Sequence, residues 1–560
     1  MNDLQKSFAL GAPTFRDPQL ARCAREQGTL DAWQLALNRG AHGAAALAEG
    51  EFAVALREPS GRTFLAVDRF AIRTLCYRVT DGQMRFAVRA DALADPGSAP
   101  ELDPQAIFDY LYFHVIPSPR TIFKGVFRLP PGHYALFENG QLTVAPYWVP
   151  EFDDRSAPLR LPAAKAEFRQ LLRGAVAAQL DGSKAACFLS GGTDSSTIAG
   201  TIGEVTGKPA ATYSIGFEAE GYDEMEYARI AARHFGTEHH EYYVTPADLV
   251  ASIPSVATHY DQPFGNSSAL PAYYCARMAH DDGVSRLLAG DGGDELFGGN
   301  TRYAKQRVFG WYDDVPAGVR HNVLEPIFGL PVVARAPLLR KGASYIAQAR
   351  VPMPNRMHTY NQLVRMGVDN IFTQGFLASV DVAGPAAQQR DVWQAARTGS
   401  LVNRMLAYDW RYTLAENDLP KVVGTTQLAQ TSVGFPFLDP QLLALSLRMP
   451  PDAKLKRLKL RWFFKEALRG FLPDQIITKK KQGFGLPFGV WAMRDDKLHR
   501  LAADSLGSLS ARGIVRPAFL KQLLDQQLPE HPGFYGEMVW ILMMFEQWLQ
   551  RHAPHFAFKR

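Results

Sequence analysis

The sequence predicts two domains: an N-terminal β-rich α+β domain and a C-terminal α/β domain whose parallel sheet carries helices on both faces. Short apolar segments bounded by turn residues follow one another between residues 45 and 148, as in antiparallel sheets. From about residue 165, strand patterns alternate with helix patterns, which is typical of parallel sheets. Beyond about residue 310 the patterns are mostly helical. A length of 560 residues suits two or three domains.

The composition is that of an ordinary globular enzyme and excludes several other classes. Hydrophobic residues make up 47% of the chain and charged residues 21%. The net charge of +5 is too small at this length to indicate a nucleic-acid partner. No apolar run reaches 18 residues, and the N-terminus has no long apolar core. We therefore expect no membrane span, no secretory signal and no membrane partner.

Cysteine usage predicts the compartment. The chain has four cysteines, which are widely scattered: Cys23, Cys76, Cys187 and Cys275. They lack both the spacing of metal sites and the density of a disulfide framework. Such usage is typical of the reducing cytoplasm, where we expect the protein to reside. Cys187 lies in a predicted strand and is expected to be a small core residue.

Residues 1–150 are predicted to form the N-terminal domain. Its strands are predicted at three apolar segments, residues 51–56, 63–67 and 84–88. Turn signals follow at residues 130–132 and 139–140. A polar stretch with several prolines, residues 150–162, is predicted as the linker. The second domain is placed at residues 163–555.

The most informative local pattern is a glycine turn between a strand and a helix. The apolar run 185–188 is followed by Leu189-Ser-Gly-Gly-Thr-Asp-Ser-Ser196. Gly191 and Gly192 let the backbone approach a ligand closely. The amides of the turn and of the helix N-terminus then point at one spot, which suits a phosphate. Asp194 adds a carboxylate, which beside phosphates implies Mg²⁺. The common P-loop is excluded because no Gly-Lys-Ser/Thr ending is present; a purely structural turn is the alternative.

A second glycine-rich acidic turn follows another predicted strand. The strand at residues 286–290 ends in Asp291-Gly-Gly-Asp-Glu-Leu-Phe-Gly-Gly299. In open parallel sheets, ligands bind outside the carboxyl ends of the strands. The two turns are therefore expected to face each other across one triphosphate, with Asp194 and Asp294 holding Mg²⁺ between the phosphates. A calcium site or a structural turn is the alternative for the second loop.

Further segments lie between the two turns. A strand is predicted at residues 211–217 and a helix at residues 225–235, with acidic residues at its start. His239 and His240 follow at the beginning of another predicted strand. Two neighbouring histidines there are more often a strand end than a metal site.

The first turn resembles the pyrophosphate loop of N-type ATP pyrophosphatases, whose fold is of the HUP type. Together the motifs resemble the synthetase domain of class B asparagine synthetases. The motifs that carry this resemblance are Leu189-Ser-Gly-Gly-Thr-Asp-Ser-Ser196, Ser214-Ile-Gly-Phe217, Gly236-Thr-Glu-His-His240, Gly290-Asp-Gly-Gly-Asp-Glu-Leu-Phe-Gly-Gly299 and Phe435-Pro-Phe-Leu-Asp439. Leu472-Pro473 and residues 479–487 extend the resemblance, which covers residues 160–550 approximately. The ordered set is specific for the superfamily and much less specific for the substrate.

The resemblance implies a two-step reaction with ATP and Mg²⁺ as cofactors. A carboxylate attacks the α-phosphate of ATP, which gives an acyl-adenylate and pyrophosphate, and an amine then displaces AMP to form an amide. The resemblance implies that Asp194 and Asp294 bind the Mg²⁺. The catalytic residues implied are these two aspartates with Arg461 and Lys481, and, at the place where relatives promote amine attack, Tyr260 and Asp261. Binding of ATP and pyrophosphate is implied for the strand ends and turns, at Leu189, Ser190, Gly191, Gly192, Asp194, Ser195, Ser196, Ile215, Ala289, Gly290, Asp291 and Gly292.

The site must also neutralise the charge of the leaving pyrophosphate and hold two reactants in line. The basic residues of segments 454–461 and 479–481 are candidates for the first task. Most of their members are expected to lie on solvated helix faces instead.

The N-terminal domain departs from the family. Residues 1–150 resemble a shortened glutaminase domain of the Ntn-hydrolase type. Glutamine-dependent members begin, after Met removal, with a catalytic cysteine, whereas residue 2 here is Asn. Cys23 lies in a predicted helix and has no free α-amine. The family's glutamine-binding segment, similar to Asn-Gly-Glu-Ile-Tyr-Asn, is also missing. We interpret the domain as one that keeps its packing and has lost its chemistry.

The acceptor side departs as well. Just before the Phe-Pro-Phe-Leu-Asp motif, the family pattern places Asp, Arg, Glu and Arg where this chain has Val423, Gly424, Ser432 and Gly434. The loss of four charges predicts a different or larger substrate than aspartate. Neutral polar groups remain in that segment, at Thr425, Thr426, Gln427, Gln430, Thr431 and Ser432. Arg461 replaces a family lysine; it can stabilise a phosphate but cannot donate a proton near neutrality.

The preferred interpretation is an ATP-dependent amide ligase of asparagine-synthetase type that uses an amine or free ammonia in a specialised pathway. Relatives without the catalytic cysteine include β-lactam synthetases and lasso-peptide cyclases, whose nucleophile is an amine of the substrate. The alternatives are an asparagine synthase fed with ammonia and a non-catalytic ATP-binding scaffold. Retention of Asp194, Asp291 and Asp294 argues against the scaffold. Expected partners are a small-molecule or peptide carboxylate and an amine, with a homodimer or an enzyme of the same pathway left open.

Overall fold

The computed structural model describes residues 6–94, 100–154, 159–330, 339–480 and 485–558. An N-terminal β-rich domain is followed by a C-terminal domain in which helices flank a parallel sheet. The predicted fold class is therefore confirmed. Within the described ranges, no helix has the length and apolar character needed to cross a membrane.

The N-terminal domain is built from antiparallel sheets. Its described strands are Phe8–Gly11 (β1), Thr14–Phe15 (β2), Ala48–Glu49 (β3), Phe52–Arg57 (β4), Thr63–Val67 (β5), Cys76–Thr80 (β6), Gln83–Ala87 (β7), Phe127–Arg128 (β8), His133–Glu138 (β9) and Gln141–Pro146 (β10). The main sheet has the order β1-β4-β5-β9-β10, a second sheet has the order β7-β6-β8, and β2 pairs with β3. The three strands predicted from the sequence are β4, β5 and β7, each within one residue of its predicted bounds.

Strand β4 shows how this domain forms its core. Successive side chains of a strand point to opposite faces, and both faces of β4 are buried. Val54 packs with Trp33 on the helical side, while Ala55 packs with Phe86 on the side of the second sheet. The helices of this domain are Pro18–Glu26, Thr29–Leu37, Ala41–Ala46 and Pro104–Phe113, with a 3₁₀ turn at Asp91–Leu93.

The C-terminal domain contains a five-stranded sheet. Its strands are Ala186–Phe188 (β11), Ala211–Phe217 (β12), Glu238–Val244 (β13), Arg286–Leu288 (β14) and Ser432–Gly434 (β15). All neighbours are parallel, in the order β13-β12-β11-β14-β15. Cys187 lies buried in β11, as predicted. The strand β15, Ser-Val-Gly, was not expected from the sequence, because it lacks the apolar run that indicated β11 and β14.

Both faces of this sheet are covered, which is why β12 is buried along its whole length. Leu172 and Ile198 belong to helices that pack on one face with Cys187. Ile253 and Ala276 belong to helices that pack on the other face with Tyr213. The helices that contribute buried residues to these two clusters include Leu161–Gln179, Thr193–Thr206, Met225–Phe235, Pro246–His259, Ala269–Asp281 and Pro532–His552.

Most of the remaining domain is helical, as expected. A short hairpin, Leu455–Lys456 (β16) with Lys459–Leu460 (β17), interrupts it. The α-helices are Gly293–Phe297, Thr301–Asp313, Ala317–Val319, Glu325–Gly329, Arg340–Ala349, Gln362–Met366, Val368–Ile371, Gln374–Leu377, Gly384–Ala395, Leu401–Asp409, Leu419–Leu428, Pro440–Arg448, Pro451–Lys454, Trp462–Leu468, Asp474–Thr478, Phe488–Ala492, Asp496–Ser510, Pro517–Gln522 and Leu528–Glu530. Short 3₁₀ or π segments are Arg320–Leu324, Asn355–His358, Trp410–Asp418, Pro436–Leu438 and Leu523–Gln527.

The two domains share a buried interface. The hydroxyl of Tyr110 donates to the carbonyl of Ile541 at 2.9 Å. Glu416 is buried and accepts from Arg128 at 2.9 Å, and it also pairs with Arg411. Burial alone would raise the pKa of Glu416, but the two guanidinium groups outweigh it and hold that pKa below its usual range. The interface therefore keeps a carboxylate ionised inside the protein.

Candidate active site

The two glycine turns meet at the switch point of the sheet. Strand β11 pairs with β12 on one side and with β14 on the other. The chain runs outward from β11 to β13 and then crosses back to β14, so the strand order reverses between β11 and β14. Parallel sheets bind ligands in the crevice at that point. A cavity of about 1090 Å³ opens there and is lined by residues of both turns.

The first turn is held by its own side chains and requires glycine. The backbone N–H of Ser190 donates to Oγ of Ser195 at 3.1 Å, and the N–H of Gly192 donates to Oγ of Ser190 at 3.3 Å. Gly191 has a φ of +67°, and a Cβ atom there would lie 2.6 Å from Cβ of Tyr227. The helix Thr193–Thr206 begins at once, so its first-turn N–H groups face the crevice.

The second turn packs directly on the first. A Cβ atom at Gly290 would lie 2.8 Å from the backbone nitrogen of Ser195. A Cβ atom at Gly293 would lie 2.7 Å from Cγ of Asp194. Gly292 has a φ of +98° and starts the helix Gly293–Phe297. These glycines let two chain segments approach each other more closely than any side chain would permit.

The central feature of the cavity is an ion triad of Asp194, Arg461 and Asp294. Arg461 places one terminal nitrogen on Asp194 and the other on Asp294. Its side chain is buried, and its backbone N–H donates to the carbonyl of Gly298 at 3.2 Å. Burial alone would lower the pKa of Arg461, but the two carboxylates outweigh it and raise that pKa above its usual range. The two aspartates therefore converge on a single positive charge.

The two neighbouring carboxylates are candidate ligands for the Mg²⁺ that the sequence implies. Carboxylate oxygens are hard ligands of the kind Mg²⁺ prefers, and protein magnesium sites take one or two carboxylates together with substrate phosphates. Asp194 and Asp294 match that donor set. Among the described residues, no group of three or more His, Cys, Asp or Glu is placed to hold a metal alone. The residues present thus fit Mg²⁺ in company with a phosphate ligand.

A second charged cluster contains a lysine that the sequence analysis missed. Lys421 lies 3.0 Å from Asp418 and 3.7 Å from Asp291, and all three line the cavity. Burial alone would lower the pKa of Lys421, but the two carboxylates outweigh it and raise it. Burial raises the pKa of Asp291. The available signal was its position in sequence, two residues before segment 423–434.

Other cations line the cavity beside the triad. Lys465 lies one helical turn after Arg461, and burial together with the charge of Arg461 lowers its pKa. Lys479 pairs with Glu224 at 2.9 Å and lies over the ring of Tyr227. Lys454 lies elsewhere, fully buried, with Nζ donating to Asn403 at 2.8 Å. The additional cations of the lining are Lys459, Arg469 and Lys480.

The sequence-predicted nucleotide residues come together. Those that line the cavity are Leu189, Ser190, Gly192, Asp194, Ser195, Ile215, Gly290, Asp291, Asp294 and Arg461. Gly191, Ser196, Ala289 and Gly292 belong to the same turns but are not among the lining residues. Lys481, which is one of the residues predicted to be catalytic, lies outside the described residues.

Tyr260 and Asp261 are placed away from the cavity lining. The hydroxyl of Tyr260 is buried and donates to the carbonyl of Lys421 at 3.1 Å. Asp261 accepts from the backbone N–H of Ala90 at 2.7 Å, across the domain interface. Tyr260 thus supports the backbone that carries Lys421, and Asp261 joins the domains. Their predicted role in amine attack stays a prediction.

The segment 423–434 lies behind the cavity. It forms part of the helix Leu419–Leu428 and the strand β15, and none of its residues is among those that line the cavity. At two of the positions where the family pattern has a charged residue and this chain has glycine, there is no room for a side chain. A Cβ atom at Gly424 would lie 2.7 Å from Cζ of Tyr260, and one at Gly434 would lie 2.9 Å from Cδ2 of Leu288. The two glycines therefore pack the fold, whereas Gln427, Gln430 and Ser432 are exposed.

Of the residues that bear on the predicted loss of glutaminase activity, the structure describes Cys23 but not Asn2. Residues 1–5, including Asn2, lie outside the described residues. Cys23 lies in the helix Pro18–Glu26, as predicted, and its Sγ is 3.4 Å from Oε1 of Gln27. Among the described residues, the thiol of Cys23 thus contacts a glutamine side chain of its own helix.

The fold and site first define a class: a two-domain α/β enzyme with a charged, phosphate-type crevice at the switch point of its sheet. The family model described as asparagine synthase matches residues 167–550. The model described as a glutamine amidotransferase domain matches residues 33–148. The chain belongs to the asparagine synthase family and is a carbon–nitrogen ligase. The predicted family resemblance is thus confirmed for both domains.

Individual relatives agree with this assignment. A Mycobacterium bovis protein with the provisional name asparagine synthetase (glutamine-hydrolyzing) is 28% identical over 520 residues, covering 90% of this chain and 77% of that protein. Asparagine synthetase (glutamine-hydrolyzing) 1 of Bacillus subtilis is 24% identical over 491 residues, covering 86% and 74%. A Penicillium rubens protein named amidase chyE is 24% identical over 531 residues, covering 84% and 76%.

Proposed function

We propose that this protein forms an amide bond through an acyl-adenylate, with release of pyrophosphate and then AMP. The observation that carries the proposal is the ion triad at the junction of two glycine turns. Phosphoryl and adenylyl transfer depend on positioning and on charge stabilisation more than on covalent chemistry by the protein. A crevice with two carboxylates, several cations and first-turn amides supplies both.

In the first step, a carboxylate oxygen of the substrate attacks the α-phosphorus of ATP. The bond from that phosphorus to the bridging oxygen breaks, and the electron pair leaves with pyrophosphate. We assign the developing negative charge to the first-turn amides of the helix Thr193–Thr206 and to Lys465. Mg²⁺ held between Asp194 and Asp294 would neutralise phosphate charge there.

In the second step, an amine nitrogen attacks the acyl carbon, the bond to the adenylate oxygen breaks, and AMP leaves. The amine loses one proton to a base. Asp418 and Asp291 lie beside Lys421 at the cavity wall. This mixed cluster suits a substrate that carries both a carboxylate and an amine. We assign Lys421 to the carboxylate and the two aspartates to the amine.

We further propose that the amine is not supplied by glutamine hydrolysis. Asn at residue 2 and the missing glutamine-binding segment support this. The protein would then act as β-lactam synthetases or lasso-peptide cyclases do, on an amine of its own substrate, inside a specialised pathway. The cavity of about 1090 Å³ has room for ATP together with a second substrate.

The second candidate is an asparagine synthase that uses free ammonia, which the family assignment favours. A non-catalytic ATP-binding scaffold is the third and is disfavoured by the complete ion triad. Pyrophosphate release from ATP and Mg²⁺, measured across candidate acids with and without ammonia, separates the three. Release with a peptide or larger acid supports the proposal, release with aspartate and ammonia supports the second candidate, and no release with any acid supports the scaffold.

A further inference from the structure

One helical run on the surface is apolar on its inner and its outer side. Residues 317–329 have continuous helical backbone, with a π-helical turn in the middle. On the inner side, Leu324 and Phe328 pack against a small separate core. The buried members of that core are Phe309, Tyr312, Ile346 and Ala349.

The outer side carries a second set of apolar side chains, which we call the apolar stripe. Its members are exposed to between 43% and 50%: Val319, Val323, Ile327 and Leu330. Val319, Val323 and Ile327 are spaced by four residues and share one helix face, and Leu330 follows directly after the end of the helix. A surface helix of a globular protein normally turns a polar face to water, and one that is apolar all round is normally covered.

The sequence segment that contains this stripe is basic, although Arg302 and Arg307 pair with Asp409 and Asp452 outside it. Residues 301–350 contain eight Lys and Arg against three Asp and Glu, a net charge of +5, which equals the net charge of the whole chain. Outside that segment, the numbers of basic and acidic residues are equal. Arg340 and Lys341 are exposed and form no ion pair with another described residue. A Cβ atom at Gly342 would lie 2.6 Å from Cε1 of Phe328, so these cations lie close to the helical run.

We propose that the apolar stripe docks on an anionic lipid bilayer, with its aliphatic side chains among the headgroups and with Arg340 and Lys341 on lipid phosphates. An aliphatic helix face flanked by cations is the pattern of helices that lie in a membrane interface. A second copy of this chain would bring its own exposed Arg340 and Lys341 against the same cations and be repelled. Protein interfaces rely mainly on Trp, Tyr and Arg anchors, which the stripe lacks. The expectation of no membrane partner rested on spanning length, which a helix at the surface does not need.

The test is co-sedimentation of the full-length protein with vesicles. Vesicles of phosphatidylglycerol and phosphatidylcholine are expected to bind it, with affinity that rises with the phosphatidylglycerol fraction and falls with salt. Pure phosphatidylcholine vesicles are expected not to bind it. V323D/I327D is expected to abolish binding. R340Q/K341Q is expected to weaken it about thirtyfold, from the contribution of two cations near an anionic surface.

The matched control is V144D/V382D, which changes two valines of similar exposure, 37% and 42%, at distant sites. It is expected to bind vesicles as the unchanged protein does. Circular dichroism identifies any variant that fails to fold. Absence of binding to anionic vesicles at low salt overturns the proposal, and so does equal binding by V323D/I327D and the control. If the unchanged protein does not bind vesicles but forms a protein complex that V323D/I327D abolishes, the stripe belongs to a protein partner. That outcome also overturns the proposal.

Discussion

A Cβ atom at Gly299 would lie 2.5 Å from Cγ of Asp294, well inside van der Waals contact. The backbone N–H of Gly299 also donates to the carbonyl of Asp294 at 2.8 Å. The last glycine of the second turn is thus packed on the ion triad. Its absence of a side chain, rather than its backbone freedom, leaves room for the carboxylate to reach Arg461.

Gly299→Ala is therefore expected to reduce pyrophosphate release about a hundredfold, because displacement of a reacting group by an ångström has an effect of that order. Gly310→Ala is the matched control, since the nearest atom to a Cβ there is Cδ2 of Leu401 at 3.8 Å. Thermal unfolding checks that both variants are folded. A folded G299A protein with an unchanged rate would contradict the proposed role of the triad.

Asp194→Ala and Asp294→Ala are each expected to lower ATP turnover about a thousandfold or more while the fold is retained, because phosphate charge is then uncompensated. Asp504→Ala, at an exposed helix position, is the control. Pyrophosphate release at several Mg²⁺ concentrations is the measurement. If either folded variant releases pyrophosphate at nearly the normal rate, the metal assignment is wrong.

Lys454 is expected to make stability depend on pH. Burial lowers the pKa of Lys454 to about 7, whereas a lysine of the unfolded chain has a pKa of about 10.4. Between these values the unfolded chain binds more protons, so stability rises with pH there, by up to about 5 kcal/mol. Below about pH 7 both states are protonated and this slope is absent.

Lys454→Met removes this titration. Urea unfolding of both proteins between about pH 7 and pH 10 is the measurement, and the unchanged protein is expected to gain stability relative to the variant as pH rises. Comparing the two slopes cancels other titrating groups and the lost hydrogen bond to Asn403. Parallel curves would show that Lys454 keeps an ordinary pKa.

Glutamine hydrolysis is expected to be absent. Residue 2 is Asn, and Cys23 lies on a helix beside Gln27. The measurement is glutamate release from glutamine, with Cys23→Ala as the companion variant. Release that persists in Cys23→Ala would reveal a glutaminase activity with a different nucleophile and would contradict the proposed loss.

Free aspartate is expected not to be the preferred carboxylate. The family charges are absent at positions 424 and 434, but these positions lie behind the cavity and do not line it. The expectation therefore rests on the cavity wall, where Lys421 is already paired with Asp418 and Asp291. A second carboxylate on the acid would lack a countercharge there, and an unpaired buried charge is costly. AMP formation with aspartate and saturating ammonia, with the product identified by mass spectrometry, is the measurement. Asparagine formed at about ten turnovers per second would contradict this prediction and would support an asparagine synthase that uses ammonia.

Local patterns determined much of this protein from the sequence alone. The strands at residues 63–67 and 211–217 and the helix at residues 225–235 were predictable, because periodicity and turn residues are local signals. The pairing of the two turns was also predictable, since parallel strands deliver their carboxyl ends to one edge. Arg461 was selected through a family motif rather than through any pattern of its own.

Only the tertiary structure decided which charges meet. Arg461 joins Asp194 and Asp294 although they lie far apart in sequence, and Lys421 joins Asp291 in the same way. The lost charges of segment 423–434 proved to lie behind the cavity, and Lys454 was separated from its basic neighbours by burial. Local propensity carries no information on such distances, because they depend on how helices and hairpins close over the sheet.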